Sequence, residues 1–405
     1  MASTNQDRAG TATAPVHQHA GQIGEPLVEV KDLQVQFKTQ LGVVSALNGV
    51  SFTVPRGRVL GVVGESGSGK TITGLAIMQL IPSPGQVTNG QILLHEEPGR
   101  PPVDVLEYAR NGEYMRKIRG DQVSMIFQEP MTSLNPSYTV GNQIEEAILI
   151  HQTKDRKKAK EMTIDILDRV SMPNPKQVYS RYPHELSGGM RQRAMIAMAL
   201  STNPAMLIAD EPTTALDVTT EAQILELIRT MQEQSHMAVM FITHNMGVVA
   251  QICDEVAVMY LGRIVEHGAV EDIFDNPKHP YTAALLRAIP RLGVRSDRLE
   301  VIKGSVPDPY TRVSGCPFHP RCPVAIAGLC ERLMPSTAHF PGQIEHTVRC
   351  HLYPESREGA REEISGLVEV AEGAEIATPG GALSEAGLST PKAPTPAQET
   401  PDGDH

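Results

Sequence analysis

Residues 64–71 have the sequence Gly64-Glu65-Ser66-Gly67-Ser68-Gly69-Lys70-Thr71, which fits the pattern G-x-x-x-x-G-K-[S/T]. The preceding run RVLGVV (58–63) is typical of a strand buried on both faces, and a helical pattern follows the loop. Glycines in such a unit let consecutive backbone N–H groups surround phosphate oxygens, and the helix N-terminus adds its dipole. The sequence therefore predicts an α/β fold with a phosphate-binding loop. The expected contact residues are Gly64, Ser66, Gly67, Ser68, Gly69, Lys70 and Thr71.

The sequence around this loop predicts the rest of the fold. Three more apolar runs indicate strands buried on both faces: VSMIF (123–127), MLIAD (206–210) and AVMFITH (238–244). In residues 27–37, apolar and polar side chains instead alternate, as in a half-buried strand. The pattern of residues 255–268 predicts two strands joined at Leu261-Gly262. We therefore expect an α/β domain with an antiparallel β flank. Helical sequence at 141–172 and 188–202 indicates a helical subdomain at about 130–200.

Two acidic residues at the end of MLIAD add hydrolytic chemistry to the phosphate loop. Lys70 would supply a positive charge to the β- and γ-phosphates, and the Thr71 hydroxyl would bind Mg²⁺. Asp210 is suited to hold the same ion through water, and Glu211 is placed to polarise an attacking water as general base. An apolar strand that ends in Asp-Glu is common by itself. Its combination with the phosphate loop favours a nucleoside triphosphatase.

A third motif, residues 186–190, reads Leu-Ser-Gly-Gly-Met and is followed by Arg-Gln-Arg. It offers a hydroxyl and two glycine N–H groups at the start of a helix, which makes a second anion site. This motif resembles the signature of ABC transporter ATP-binding subunits, and the resemblance covers roughly residues 27–353. It implies an ABC-type ATPase that binds ATP and Mg²⁺. In that family each ATP lies between the phosphate loop of one subunit and the signature of another, so Ser187, Gly188 and Gly189 would complete a partner's site.

Three further positions match the order of motifs in the family. Gln128, after VSMIF, resembles the glutamine that contacts Mg²⁺ and the attacking water. Ala215-Leu216-Asp217 resembles the loop that crosses the dimer interface, and His244 resembles the histidine that contacts the γ-phosphate and helps to orient Glu211. The resemblance thus implies a catalytic role for Gln128, Glu211 and His244. It implies metal binding by Thr71, Gln128 and Asp210.

Two segments are similar to the peptide-importer branch of this family, which includes dipeptide, oligopeptide and nickel importers. They are FQEPMTSLNPSYTVGNQI (127–144) and NPKHPYTAALLRAIP (276–290), after which that branch carries a C-terminal extension. The resemblance implies an ATP-hydrolysing subunit that powers uptake of peptides, or of a related solute such as nickel. Its expected partners are two membrane permeases, a second ATP-binding subunit that is a paralogue, and, indirectly, an extracytoplasmic solute-binding protein.

Four cysteines of the expected extension form a candidate metal site. Their spacings are x5, x7 and x19, and two are followed by proline in GCPFHPRCP (315–323). Four thiolates suit Zn²⁺ or an iron–sulfur cluster, and the C-x₂₋₄-C pairs of zinc ribbons are absent. Members of the resembled branch with this pattern hold a [4Fe–4S] cluster, which we therefore expect, with Zn²⁺ or unligated thiols as alternatives. The residues are Cys316, Cys322, Cys330 and Cys350; Cys253 is instead expected in the core.

Composition sets the expected boundaries. Residues 1–25 are polar and rich in Ala, Gly, Thr and Gln, which predicts a disordered arm. The ATP-binding domain is expected at 26–270, the four-cysteine extension at 271–353 and an acidic disordered tail at 354–405. The tail has eleven acids against three bases, so most of the formal net charge of −11 lies there. The remaining sequence is too weakly charged to predict a nucleic-acid surface.

The same features weigh against other classes of protein. No run approaches the roughly 18 to 20 apolar residues of a membrane span, and the N-terminus lacks the apolar core of a secretory signal. We therefore expect a peripheral protein at the cytoplasmic face of the inner membrane. An ABC ATPase acting on nucleic acid usually has two nucleotide domains or coiled-coil insertions, whereas this sequence has one such domain and no heptad pattern. A non-catalytic subunit would have degenerate motifs, and the motifs here are intact. One departure from the family is Leu41, where many relatives have an adenine-stacking aromatic residue; Phe37 is expected in the core.

Overall fold

A computed structural model describes residues 21–128, 133–214, 216–289, 302–308, 310–311, 313–362 and 364–365. Its strands are β1 Pro26–Thr39, β2 Gly42–Pro55, β3 Val59–Val63, β4 Gly85–Leu94, β5 Val103–Asp104, β6 Val123–Ile126, β7 Met206–Asp210, β8 Ala238–Thr243, β9 Glu255–Tyr260, β10 Arg263–Ala269, β11 Val313–Ser314, β12 Leu333–Met334, β13 Ala338–Phe340, β14 His346–Val348, β15 Arg361–Glu362 and β16 Ile364–Ser365. Its helices are α1 Lys70–Ile77, α2 Glu113–Asp121, α3 Val140–His151, α4 Arg156–Arg169, α5 Pro175–Val178, α6 Gly188–Leu200, α7 Val218–Ser235, α8 Met246–Ile252, α9 Val270–Asp275, α10 Pro280–Arg287 and α11 Glu355–Glu358.

The central sheet has the strand order β13-β14-β10-β9-β3-β8-β7-β6 in the described part of the chain. Strands β9, β3, β8, β7 and β6 run parallel to one another, and every residue of β3, β7 and β8 is buried. Continuous apolar runs form such strands because both faces of a parallel sheet are covered. The carboxyl ends of β3, β7 and β8 therefore meet at one edge of the sheet.

An antiparallel sheet with the order β2-β1-β4-β5 covers one face of the central sheet. One apolar core contains both sheets, since Leu33 and Val50 of the flank cluster with Leu60 and Met206 of the central strands. Helices α3, α4, α6 and α7 pack on the other face in a second core. The expected α/β fold with an antiparallel flank and a helical subdomain is confirmed.

The turn predicted at Leu261-Gly262 joins β9 to β10, which pair antiparallel. Both residues have positive φ, 43° and 73°, as a two-residue hairpin turn requires. Gly262 N donates to Ser68 O at 2.9 Å, so this turn packs against the phosphate loop.

The cysteine-bearing region is built onto the central sheet. Strand β14 pairs with β10, and β13 pairs with β14. A third apolar cluster joins Val63 and Tyr260 of the parallel strands to Tyr281, Phe318 and Cys316. Residues of α10 and of the cysteine-bearing segment 316–330 therefore contact the strands that carry the phosphate loop.

Both predicted disordered ends need correction where the structure describes them. Gly24 N donates to Arg56 O at 2.9 Å and Arg56 N donates to Glu25 O at 2.8 Å, so the last arm residues lie against the turn after β2. At the other end, α11 and the pairing of β15 with β12 continue the fold to at least Glu362, beyond the predicted boundary at 354. The sequence did not predict order in these residues because they have few apolar side chains. Hydrogen bonds between backbone groups hold them in place instead. Residues 1–20 and 366–405 lie outside the described residues.

No helix among the described residues combines the length and the apolar character needed to cross a bilayer.

Candidate functional site

The phosphate loop joins β3 to α1. Lys70 is the first residue of α1 and is 6% exposed. Its Nζ donates to Gly64 O at 2.8 Å and to Glu65 O at 3.1 Å, so the ammonium lies within the curve of its own loop. Burial lowers the pKa of Lys70, and the carboxylates of Glu211 and Asp210 oppose that shift.

Two glycines of this loop are required by close backbone approach. A Cβ on Gly64, at φ 154°, would lie 2.2 Å from Met259 O. A Cβ on Gly69, at φ 100°, would lie 2.7 Å from Ala46 O. The loop is therefore wedged between β9 and β2, which fixes the directions of its N–H groups.

Thr71 and Asp210 meet below the loop, as the sequence predicts. The Thr71 hydroxyl donates to Asp210 Oδ1 at 3.2 Å, and Asp210 is 2% exposed. Burial raises the pKa of Asp210 to about 6, and the Thr71 hydrogen bond and the Lys70 charge act against it. A buried carboxylate and a hydroxyl are hard oxygen donors, which suit Mg²⁺ when phosphates and water complete its shell.

Glu211 follows β7 and lies at the centre of a hydrogen-bonded group. Its backbone φ is +45°, an uncommon conformation for a residue other than glycine, and its N–H donates to Ile242 O at 2.9 Å. Gln128 Nε2 donates to Glu211 Oε2 at 3.2 Å, and Thr214 Oγ1 donates to the same oxygen at 3.0 Å. His244 Nδ1 lies 3.0 Å from Glu211 Oε1. The structure thus brings the three predicted catalytic side chains together.

These contacts determine the charge of Glu211. Burial raises its pKa, but the hydrogen bonds from His244 and Thr214 outweigh this, so the pKa lies below its usual value. Glu211 is therefore an ionised carboxylate at neutral pH. Thr214 was not predicted from the sequence, although its position three residues after Glu211 in one tight turn is compatible with this contact.

The signature residues lie at the N-terminus of α6. Ser187 is the N-cap, and its hydroxyl accepts from Met190 N at 3.3 Å. Ser187 and Gly188 are exposed, and a Cβ on Gly188 would have no atom within 4 Å in this chain. A Cβ on Gly189 would lie 3.0 Å from Thr220 Cγ2, so the signature lies beside the start of α7. Asp217 caps that helix and accepts from Thr220 N at 3.0 Å.

Three predicted segments fall partly outside the described residues. The residues outside are Ala215 of the loop at 215–217, residues 129–132 after Gln128, and Pro290 at the end of the segment 276–290. Phe127 and Tyr138, which lie before and after residues 129–132, are 41% and 56% exposed. Elsewhere, Leu41 is 82% exposed beside Gly42, and Phe37 packs against the core of the antiparallel flank.

The four cysteines of the extension line one cavity together with Phe318 and His279. Burial raises the pKa of Cys316 to about 12 and that of Cys350 to about 11. The donor set is that of a thiolate metal site, but no group of three His, Cys, Asp or Glu side chains in the described residues is arranged to hold a metal ion. The expected iron–sulfur or zinc site therefore remains a prediction. Cys253 packs between two apolar clusters, as expected.

Comparison with known families matches two parts of the chain. The ABC transporter family matches residues 47–214. The oligopeptide/dipeptide transporter C-terminal region matches residues 265–330. The first match contains the phosphate loop, the signature and the Asp210-Glu211 pair. The second contains α10 and three of the four cysteines.

Individual proteins are similar over most of the chain. The oligopeptide transport ATP-binding protein AppD of Bacillus subtilis is 46% identical over 338 residues, which cover 83% of this chain and 99% of that protein. The dipeptide transport ATP-binding protein DppD of Bacillus subtilis is 45% identical over 341 residues, covering 83% and 97%. DppD of Haemophilus influenzae is 45% identical over 325 residues, covering 80% and 95%.

Solved structures support the fold. The dimeric bacterial ABC transporter cassette MJ0796 has a TM-score of 0.53 at 23% identity, covering 60% of this chain and 99% of that chain. CbiO1 of Clostridium perfringens, part of the ABC transporter complex CbiONQ, has a TM-score of 0.52 at 23% identity, covering 62% and 92%.

Proposed function

Since this chain belongs to the ATP-binding proteins of ABC transporters, in their oligopeptide and dipeptide branch, we propose that it hydrolyses ATP to drive peptide import through separate membrane permeases. The observation that carries this proposal is the group around Glu211. Gln128, Thr214 and His244, from three separate segments, contact one ionised carboxylate at the end of β7. A general base for water needs such an arrangement.

In the proposed reaction, Glu211 accepts a proton from water as the water oxygen bonds to the γ-phosphorus. The bond between the γ-phosphorus and the bridging oxygen then breaks, and ADP and phosphate are the products. Gln128 and His244 orient the carboxylate and the water, because both side chains already contact Glu211. The depressed pKa of Glu211 keeps the base unprotonated at neutral pH.

Phosphate binding is assigned to the loop at 64–71. Its N–H groups and Lys70 hold the β- and γ-phosphates, with contacts from Gly64, Ser66, Gly67, Ser68, Gly69 and Thr71. Thr71, Asp210 and Gln128 would hold Mg²⁺, which neutralises charge on the phosphates. Support comes from the hydrogen bond between Thr71 and Asp210 and from the burial of that carboxylate beside Lys70.

The complete site is proposed to need a second ATP-binding subunit. Ser187 and Gly188 are exposed, and they begin a helix whose free N–H groups suit an anion. Together with Gly189 they would contact the nucleotide held by the partner's phosphate loop. By resemblance to its branch, the partner is a paralogue. Asp217 and Val218, both exposed beside the signature, would lie in the same interface.

The membrane partners are proposed to be two permeases, served by an extracytoplasmic solute-binding protein. A permease is proposed to dock on the segment 127–144, which resembles the peptide-importer branch and in which Phe127 and Tyr138 are exposed. The chain would thus act as a peripheral protein at the cytoplasmic face of the inner membrane. Peptides are the proposed cargo, with nickel as the alternative from the same branch.

The extension is proposed to hold a [4Fe–4S] cluster on Cys316, Cys322, Cys330 and Cys350, with Zn²⁺ as the alternative. Support comes from the one cavity that all four cysteines line. The raised pKa values of Cys316 and Cys350 mean that these two thiols bind protons tightly unless a metal replaces them. The proposed role is structural or regulatory.

The transporter reconstituted in proteoliposomes tests the function. Glu211→Gln should leave ATP binding intact and lower ATP turnover by about 10² to 10⁴-fold, the range of general-base catalysis. Glu226→Gln, an exposed change on α7, is the matched control. ATP-dependent uptake of a radiolabelled peptide, without uptake of nickel, would support peptides as the cargo. Unchanged turnover in Glu211→Gln would refute the assigned base.

A further inference from the structure

The second residue of the phosphate loop, Glu65, is held by the C-terminal extension. Arg321 Nη1 lies 2.6 Å from Glu65 Oε2, and Arg321 Nη2 lies 3.0 Å from Glu65 Oε1. This is a two-point ion pair between residues 256 positions apart. The Arg321 side chain is 4% exposed and that of Glu65 is 26% exposed. Such geometry fixes orientation as well as distance.

Arg321 is itself rigidly placed. Its Nε donates to Lys303 O at 3.2 Å, and Nη2 also donates to Gly304 O at 3.3 Å. Its Nη1 donates to Tyr260 Oη at 3.4 Å, while the guanidinium lies 5.9 Å from the centre of the Tyr260 ring. A buried guanidinium with this many acceptors has little freedom to follow a moving partner. Glu65 therefore takes its position from Arg321.

The backbone of Glu65 is held from the same region. Glu65 N donates to Tyr281 Oη at 2.9 Å, and Tyr281 on α10 is fully buried. Phe318 packs against Tyr281 with ring centres 5.3 Å apart, and it lines the four-cysteine cavity. Arg321 directly precedes Cys322 in the chain. The segment around the cysteines thus fixes both the side chain and the N–H of Glu65.

Glu65 in turn fixes the groups that face phosphate. Its carbonyl oxygen accepts from Lys70 Nζ at 3.1 Å and from Ser68 N at 3.2 Å. The chain of contacts therefore runs from Arg321 to Glu65 and from Glu65 to Lys70. Every link is a hydrogen bond or an ion pair between described residues.

We propose that Arg321 is a positioning residue for ATP binding, which acts through Glu65 to hold Lys70 and the loop N–H groups in their phosphate-binding arrangement. This inference rests on the proposed use of the loop for ATP phosphates. It gives the extension a direct effect on nucleotide affinity. Arg321 contacts neither Lys70 nor the proposed base, so its effect appears in ATP affinity before it appears in the chemical step.

The test uses the full chain with Arg321→Gln, Arg321→Lys, Glu65→Gln and the double variant Arg321→Gln/Glu65→Gln. The dissociation constants of ATP and ADP are measured by titration calorimetry, with KM and kcat of basal hydrolysis and a melting curve for each protein. Arg332→Gln is the matched control, because it removes an exposed ion pair with Glu362 in the same extension.

We expect Arg321→Gln and Glu65→Gln each to raise the dissociation constant and KM for ATP about tenfold, a coupling common for groups in direct contact. The fall in kcat should be smaller than the rise in KM. The double variant should bind ATP no more weakly than either single variant does. Arg321→Lys should recover part of the ATP affinity that Arg321→Gln loses. Arg332→Gln should bind ATP like the unchanged protein.

Unchanged ATP affinity in a folded Arg321→Gln protein would overturn the proposal, as would simple additivity in the double variant. If Arg321→Gln fails to fold, Glu65→Gln decides, because it changes a partly exposed side chain and leaves the extension's sequence intact. An unchanged chain that does not bind ATP would refute the proposed function instead.

Discussion

The side-chain amide of Gln192 donates a hydrogen bond to the carbonyl oxygen of Pro212, the residue after Glu211. Gln192 is 2% exposed and belongs to α6, the helix that begins at the signature. The signature helix and the loop of the proposed base are therefore joined by one buried contact. A shift of α6 against a partner subunit would move the backbone beside Glu211.

Replacement of Gln192 by alanine should weaken both stability and hydrolysis. The Pro212 carbonyl loses this donor in a buried place, which costs about 1–3 kcal/mol in the free energy of unfolding. Denaturant unfolding measures this loss, and Gln177→Ala, an exposed change, is the control. Equal unfolding free energies for the two variants would contradict the importance of this contact.

Removal of the Thr71 hydroxyl should raise the Mg²⁺ requirement. In Thr71→Ala, Asp210 loses its hydrogen bond and the ion loses a ligand, so the Mg²⁺ concentration for half-maximal hydrolysis should rise by about tenfold or more. Thr71→Ser keeps a hydroxyl and should stay near the original value. A Mg²⁺ titration of ATPase activity at saturating ATP is the measurement, and identical curves for Ala and Ser would exclude Thr71 as a ligand.

An added methyl group at Gly188 should separate this chain's own site from its role in a partner's site. The space around Gly188 is open in this chain, and its φ is not positive, so Gly188→Ala should not lower the melting temperature or the ATP affinity of the same chain's phosphate loop. In the assembled transporter the methyl group would meet the partner's nucleotide. Hydrolysis should then fall at least about tenfold, since misplacing one donor in a preorganised site has an effect of that order. Full activity of the assembled variant would refute the two-subunit site.

The metal content of the extension should depend on Cys316. Protein purified without oxygen should hold about four iron atoms per chain if a [4Fe–4S] cluster is present. Cys316→Ser should lose most of this iron, and Cys253→Ala, which changes a cysteine outside the cavity, should keep it. Elemental analysis of both variants decides the question; stoichiometric zinc, or no metal, would eliminate the cluster.

Local sequence patterns were enough to predict the centre of the molecule. The apolar runs at β3, β7 and β8 are recognisable because a strand buried on both faces admits few polar residues. Lys70, Asp210, Glu211 and His244 follow or end these runs, so the common edge of a parallel sheet brings them together. The apolar runs and the positions of these side chains after them are therefore sufficient to predict the parallel strands and the grouping of the site residues.

Contacts between distant segments could not be predicted in this way. Strand β14 has three residues and pairs with β10 about eighty positions earlier, and neither has a signal that specifies the other. The same applies to Arg321 and Glu65, whose pairing depends on how α10 and the aromatic cluster pack. The segment 354–362 likewise has little apolar sequence, and α11 together with the pairing of β15 with β12 extended the fold past the predicted boundary.

The pairing of β14 with β10 has a consequence for the solubility of shortened chains. A protein cut after α10 would present the backbone N–H and C=O groups of β10 to solvent as an open sheet edge. Open edges recruit strands from other molecules, and the buried residues of β10 would favour such stacking. Strands β13 and β14 therefore also protect the ATPase sheet from aggregation.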